Sequence, residues 1–201
     1  MNEGFHNLPI ERQNQIINAG FRIFAGTPYK KASAAEIAAE AGISKALLFY
    51  HFKNKKELYF YLWQKAIELT SQEFRNQEVW ETNDYFEMLR RSMIGKCKVL
   101  EKHPYAMEFS MRAYYEEDPE IREEILKRFG QVSEESEQKI REAVDLSRIR
   151  KDIPFHMIYQ EMIWASDGYM RQMLLKGNMD TKQIECDFNE MIAIWKKVYS
   201  N

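Results

Sequence analysis

The sequence has little of what membrane and secreted proteins need. None of its apolar runs approaches the roughly 20 consecutive residues of a membrane-spanning helix. Its first twelve residues, MNEGFHNLPIER, lack the basic-then-apolar layout of a secretory signal, so we expect a cytoplasmic protein with no membrane partner. The two cysteines, Cys97 and Cys186, form no CxxC pair, which favours reduced thiols over a disulfide.

Motifs that carry catalytic chemistry are also scarce. The four histidines are scattered, and no two stand at the i, i+4 spacing typical of helical metal ligands. The sequence contains no glycine-rich phosphate loop and no recognisable pairing of a nucleophile with its base. We therefore predict that the chain is not an enzyme and needs no cofactor or metal.

Strand patterns are missing too, because no stretch alternates β-branched and polar residues for long enough. All hydrophobic periodicity is helical, which predicts an all-α fold. Pro9 suits the start of a first helix that runs to about residue 25. Its inward face is predicted to carry Ile10, Ile17, Phe21 and Phe24.

Two short helices follow. Ser33 is predicted to cap the second helix, Gly42 to supply the turn, and Ser44 to cap a third helix from Lys45 to about Phe52. A fourth helix from about Asn54 should join this head to a larger helical body. The predicted ranges from there on are 54–74, 83–102, 105–115, 119–145, 154–176 and 181–199, which makes about nine helices in total.

Charge is distributed unevenly along the chain, although the net charge is only −2. Residues 1–58 contain eight Lys or Arg against five Asp or Glu, whereas the remainder contains 21 against 26. The stretch 41–56 includes four lysines and no acidic residue. A basic head on an acidic body is typical of a protein whose head faces phosphates, although a solvated basic turn is the simpler alternative.

Two short helices joined by a glycine turn also have a physical use, because the second can lie in the major groove of DNA. Ser33 and Ser44 with Lys45 would then offer hydroxyls, charge and backbone N–H groups to phosphates.

The segments RQNQIINAGFRIF and SAAEIAAEAGISKALLFYHFKNKKEL resemble the DNA-binding domain of the TetR family of bacterial regulators, over about residues 10–60. The resemblance implies an all-α homodimer with a helix-turn-helix domain at 1–53 and a ligand-binding and dimerisation domain at 54–201. It also implies base or phosphate contacts for Lys45, Ala46, Tyr50 and His51, and an anchor to the DNA backbone for Lys55.

Three positions on the third helix depart from the family pattern, since Ala46, Leu47 and Phe49 replace the common Gly, Thr and Tyr. Leu47 can contact a thymine methyl group or simply pack, and Phe49 can likewise face DNA or serve only in packing. The predicted DNA-binding residues are Ser33, Ser44, Lys45, Ala46, Leu47, Phe49, Tyr50, His51 and Lys55.

The body is rich in methionine and aromatic residues, which could line an adaptable cavity for an apolar or aromatic effector or form an ordinary core. The residues predicted to line it are Trp63, Ile67, Met93, Cys97, Met107, Met111, Tyr114, Tyr159 and Met162.

The last helix carries an apolar stripe, and the helix before it is apolar nearly all round. In the family the last two helices pack against their symmetry mates. The resulting dimer interface is predicted to include Gly168, Met170, Phe188, Met191 and Trp195.

Together these patterns predict a repressor that binds a near-palindromic DNA operator as a homodimer and is released by a small molecule. The alternative is a DNA-binding protein of the same fold that is controlled by a protein partner or has no small-molecule ligand.

Overall fold

The computed structural model describes residues 3–177 and 179–201, and nine α-helices account for most of these residues. Their bounds are α1 (Ile10–Gly26), α2 (Ala34–Glu40), α3 (Lys45–His51), α4 (Lys55–Asn76), α5 (Tyr85–Lys102), α6 (Pro104–Tyr114), α7 (Arg122–Ala143), α8 (Phe155–Lys176) and α9 (Thr181–Tyr199). The described ranges contain no strand beyond a single bridge between Ile149 and Ser200. None of the helices described is both long and apolar enough to cross a bilayer. The predicted all-α fold with nine helices is confirmed.

Side-chain caps explain where the short helices begin. The Ser33 hydroxyl accepts a hydrogen bond from the Ala35 N–H at 3.2 Å, and the Ser44 hydroxyl accepts one from the Leu47 N–H at 3.1 Å. Asn54 accepts one from the Glu57 N–H at 2.8 Å, just before α4 begins. Each cap satisfies an N–H group that has no partner within its own helix.

The chain divides into two compact units. The first comprises the chain up to Leu69 together with His103–Phe129, and the second comprises Thr70–Lys102 with Gly130–Asn201. The predicted division into domains 1–53 and 54–201 does not coincide with these two units, and it stays a prediction. Residues 1 and 2 of the first predicted domain lie outside the described ranges.

The core of the first unit is built around Phe109 of α6, which is fully buried. Its ring lies 4.9 Å from that of Tyr59, 5.5 Å from that of Phe21 and 6.1 Å from that of Phe24, measured between centroids. The inward face of α1 therefore contains the two predicted phenylalanines. Ile10, which was predicted to join them, is 60% exposed because it stands at the very start of the helix.

The core of the second unit contains residues of α5, α7, α8 and α9. Helices α8 and α9 are antiparallel neighbours, since the Tyr169 hydroxyl donates to Asp187 at 2.6 Å and the Tyr199 hydroxyl to Glu161 at 3.4 Å. Both cysteines are free thiols, as the sequence predicted.

Candidate nucleic-acid interface

The turn between α2 and α3 is short and well defined. Gly42 adopts a φ of 65°, a left-handed conformation that glycine reaches without a steric penalty. Its N–H donates to the Ala39 carbonyl at 3.0 Å, and the Ile43 N–H donates to the Ala38 carbonyl at 2.9 Å. These bonds close the end of α2 and fix the direction in which α3 leaves.

The outward face of α3 consists of residues that the sequence predicted to meet DNA. Lys45 and Ala46 are exposed, as is Leu47, and Tyr50 is 61% exposed. Phe49 is half-buried, and the Lys45 ammonium lies 5.7 Å from its ring centroid. The face thus offers one cation, one phenol and two small or apolar side chains at the start of a capped helix, a mixture suited to base edges and phosphates.

His51 lies on the opposite face and is only 3% exposed. Its ring packs edge-on against Phe5, at 5.7 Å between centroids, and both ring nitrogens are buried without a hydrogen bond in the described chain. Desolvation lowers the pKa of His51 below its usual value, which favours the neutral ring. In this structure His51 therefore supports the core of the head and has almost no surface to offer DNA.

Phe5 is a residue that sequence reasoning missed. It is fully buried in the 3-10 turn Glu3–Phe5 and lies 4.9 Å from the ring of Phe52 and 5.4 Å from that of Tyr61. A phenylalanine shortly before Pro9, in a largely polar stretch, is the feature of the sequence that indicates such packing.

Lys55 is also placed differently from the expectation that it anchors α4 to DNA. Its ammonium donates to three carbonyls of the loop between α1 and α2: Tyr29 at 2.7 Å, Ala32 at 3.2 Å and Lys30 at 3.4 Å. It also lies 4.2 Å from the centroid of the Tyr29 ring, a cation–π distance. The donors of Lys55 are therefore engaged within the protein.

Other lysines of the first unit offer the charge that Lys55 does not. Lys30 and Lys31 are exposed just before Ser33, Lys53 is exposed before α4, and Lys56 is half-buried in its first turn. Sequence reasoning counted Lys53 and Lys56 in the basic stretch but did not place them or the first pair in the site.

Five of the predicted cavity residues lie in the first unit. Trp63 is buried, and its ring lies 5.6 Å from that of Phe129. Tyr114 is 41% exposed and lies 5.2 Å from the same ring. The others, Ile67, Met107 and Met111, are half-buried.

The remaining four cavity residues lie in the second unit, and all are buried: Met93, Cys97, Tyr159 and Met162. Tyr159 and Met162 belong to the hydrophobic core of that unit. Burial raises the pKa of the Cys97 thiol to about 12. A cleft of about 410 Å³ in this unit includes none of the four among its lining residues. Within residues 3–177 and 179–201, no cluster of His, Cys, Asp or Glu is arranged to hold a metal ion.

The predicted dimer residues differ in how much surface they offer. Gly168 is exposed, Met170 and Met191 are half-buried, and Phe188 and Trp195 are 2% and 7% exposed. Both of the last two are buried, and Trp195 belongs to the core of the second unit. Large apolar side chains on other faces are exposed instead: Met157, Trp164, Leu175, Ile194 and Val198.

Comparison with known proteins gives a consistent result for the first unit. Residues 16–62 match the family described as bacterial regulatory proteins, tetR family. The chain is 21% identical over 180 residues to the HTH-type transcriptional repressor AcnR of Corynebacterium diphtheriae, covering 89% of this chain and 90% of that protein. It is 27% identical over 115 residues to the HTH-type transcriptional activator FasR of Mycolicibacterium smegmatis, which is 57% of this chain and 52% of the activator.

Solved structures share the fold. A TetR family transcriptional regulator from Chloroflexus aurantiacus has a TM-score of 0.70 at 21% identity, with 100% of this chain and 98% of that chain covered. The fatty acid degradation regulator FadR from Bacillus halodurans has a TM-score of 0.74 at 16% identity, with 90% and 94% covered.

Proposed function

Because the chain belongs to the TetR family and is a DNA-binding transcriptional regulator, we propose that it is a cytoplasmic repressor that binds a near-palindromic operator as a homodimer. The observation that carries the proposal is the division of α3 into two faces. Lys45, Ala46, Leu47 and Tyr50 are exposed on one side, whereas Leu48 is buried on the other. A helix divided in this way can enter a major groove without giving up its packing.

The DNA contacts can be tested on a duplex that the purified protein selects from a random library. Lys45→Ala and Tyr50→Ala should each weaken binding about tenfold, since one good contact to a base or phosphate contributes about 1–3 kcal/mol. Lys127→Ala on α7 and Tyr105→Ala on α6 are matched controls, because both residues are exposed and lie outside the helix-turn-helix. Selection of no duplex, or equal affinities for all four variants and the wild type, would overturn the assignment of the α3 face.

The homodimer is proposed to form through the exposed faces of α8 and α9. Met157, Trp164 and Leu175 recur along one side of α8 at helical spacing, together with Gly168. The contacts described between these antiparallel helices bring Trp164 level with Ile194, and both are more than 60% exposed. Apolar patches of this kind usually mark an interface, and a twofold axis would set the same patch on both subunits.

Trp164→Glu tests this interface by light scattering after size-exclusion chromatography. We expect the variant to run as a monomer and to lose affinity for a full palindrome more than for a half-site. Leu126→Glu is the matched control, because Leu126 is an exposed leucine on α7 outside the patch. A Trp164→Glu protein that remains dimeric would contradict the proposed interface.

The effector is proposed to be an apolar small molecule that contacts α6. Met107, Met111 and Tyr114 follow one another at spacings of four and three, so they share a face of that helix. The Bacillus halodurans protein of similar fold is a fatty acid degradation regulator, which is in keeping with an apolar effector.

Oleate is a suitable first probe. It should weaken binding of the wild type to its selected duplex at least tenfold, and Tyr114→Ala should need a higher oleate concentration for the same effect. Tyr105→Ala is the control, since position 105 lies on the opposite side of α6. If DNA affinity is unchanged by oleate, this effector class is wrong for the chain while the DNA-binding proposal stands.

A further inference from the structure

The loop between α1 and α2 is held by two charged side chains from different parts of the first unit. The Lys55 ammonium donates hydrogen bonds to three carbonyl groups of this loop, as described above. Glu116, in the connection between α6 and α7, accepts a hydrogen bond from the Tyr29 N–H at 2.8 Å. A cation on the carbonyl side and a carboxylate on the N–H side thus fix the same loop.

Glu116 is tied to its own connection by the other carboxylate oxygen. Oε1 accepts hydrogen bonds from the N–H groups of Glu117 and Asp118, each at 3.1 Å, while Oε2 accepts the one from Tyr29. Arg122 donates to the carbonyls of Tyr114 at 2.7 Å and Glu116 at 3.0 Å, which holds the connection to the end of α6. The carboxylate therefore links the end of α6 to the α1–α2 loop directly.

The loop carries groups suited to phosphate contact. Lys30 and Lys31 are exposed on it, and Ser33 caps α2 where the loop ends. The Tyr29 side chain is buried between Phe24 and Tyr59, so the loop is anchored by its own aromatic ring as well. The backbone at residue 29 therefore determines where the two lysines point.

We propose that Glu116 is a positioning residue for DNA binding, which orients Lys30 and Lys31 toward phosphates through its hydrogen bond to the Tyr29 N–H. The inference rests on the proposed function and deepens it, because a displacement of α6 would reach the loop through this bond. Lys55 has the complementary role, and its three carbonyl contacts resist the same movement.

Glu116→Gln tests the proposal, because the amide is nearly the same shape but has one acceptor oxygen where the carboxylate uses two. The NH2 group of the glutamine would face a backbone N–H on one side, and two donors form no hydrogen bond. Glu117→Gln is the matched control: it removes the same charge one residue along, and the exposed Glu117 side chain is not among the hydrogen-bond acceptors of the described chain. Both variants change the electrostatic repulsion of DNA alike.

Two measurements on the full chain are needed. Amide exchange of Tyr29, followed by NMR, should be at least tenfold faster in Glu116→Gln than in the wild type and unchanged in Glu117→Gln. The slope of log affinity against log salt is negative. For the selected duplex, its magnitude should decrease by about one to two in Glu116→Gln, because each lost phosphate contact contributes about 0.9. A general loss of stability would not change the salt slope selectively.

Lys55→Met provides a second route if Glu116→Gln folds poorly. It should reproduce the decrease in the magnitude of the salt slope and the faster Tyr29 exchange, whereas Lys56→Met should decrease that magnitude without affecting exchange. If the wild type binds its duplex with strong salt dependence but Glu116→Gln and Glu117→Gln match each other in slope and exchange, the positioning role is refuted and the proposed function survives. If the wild type selects no duplex, both fail.

Discussion

Gly20 of α1 leaves room for the Leu62 side chain of α4, and adding one methyl group there should destabilise the first unit. A Cβ atom built at this position would lie 2.6 Å from Cδ1 of Leu62 and 3.4 Å from its Cδ2. These atoms are the end of the Leu62 side chain, which is fully buried, so the side chain must turn within a packed core. The contact must be relieved by shifting packed atoms.

The magnitude follows from two opposing effects. Overpacking a core by one methyl group typically costs about 1–3 kcal/mol. Replacing glycine by alanine inside a helix favours folding by about 0.5–1 kcal/mol. Gly20→Ala should therefore lower the free energy of unfolding by about 1 kcal/mol, within a range of about 0 to 2.5 kcal/mol.

Urea denaturation followed by circular dichroism measures the effect. Gly26→Ala is the control in the same helix, since a Cβ there would have nothing within 4 Å, and it should be neutral or stabilising. Adding Leu62→Val, which shortens the opposing side chain, should make the double variant more stable than the sum of the single changes predicts, by about 1 kcal/mol. If Gly20→Ala is as stable as Gly26→Ala, the packing of Leu62 against Gly20 is not as described.

Three further changes probe other contacts. Ser44→Ala should cost about 1 kcal/mol and Ser44→Asn little, as thermal unfolding would show, because asparagine also caps helices; equal losses would contradict the cap. Desolvation lowers the pKa of His51 in the folded state, so its contribution to the free energy of unfolding should be full above about pH 6.5 and should be lost as the pH falls below that value. In His51→Phe, the free energy of unfolding measured by denaturation should therefore change less between pH 7.5 and pH 5 than in the wild type. An equal change in both proteins would refute this. Lys102→Ala should destabilise more than Lys98→Ala, because Lys102 pairs at 2.8 Å with the buried Glu73 whereas the partner of Lys98 is exposed; equal losses in urea denaturation would count against it.

The helices were predictable because their ends are determined locally. Ser33 and Ser44 cap helices whichever way the chain later packs, and Gly42 and Gly177 adopt positive φ values that end α2 and α8. The helix ends observed differ from the predicted ranges by three residues at most.

The candidate site was predictable only in part, because two of its residues are placed by distant segments. His51 and Lys55 lie in a basic stretch and look alike in sequence to the exposed Lys45 and Tyr50. Phe5 covers His51, and carbonyl groups of the α1–α2 loop surround Lys55. Neither contact can be predicted from the residues next to His51 or Lys55 in the sequence.

The orientation of α9 could not be predicted from the sequence either. Its stripe of Phe188 and Trp195 is the most apolar face of the helix, so it suits a subunit interface and an internal core equally well. The structure turns that stripe inward and leaves Ile194 exposed. Which face of an apolar helix is covered by its own chain depends on the other helices, and periodicity alone does not contain that information.

The two oxygens of Glu116 have a consequence for the speed of any response. Its Oε1 bonds to Glu117 and Asp118 involve only its own connection, so they can persist when the Oε2 bond to Tyr29 opens. Opening then requires a small displacement of folded backbone and no unfolding of the connection. Loop displacements of this kind take about nanoseconds to microseconds. Because complexes persist for about milliseconds to days, the linkage between α6 and the α1–α2 loop can open and close many times within one DNA complex.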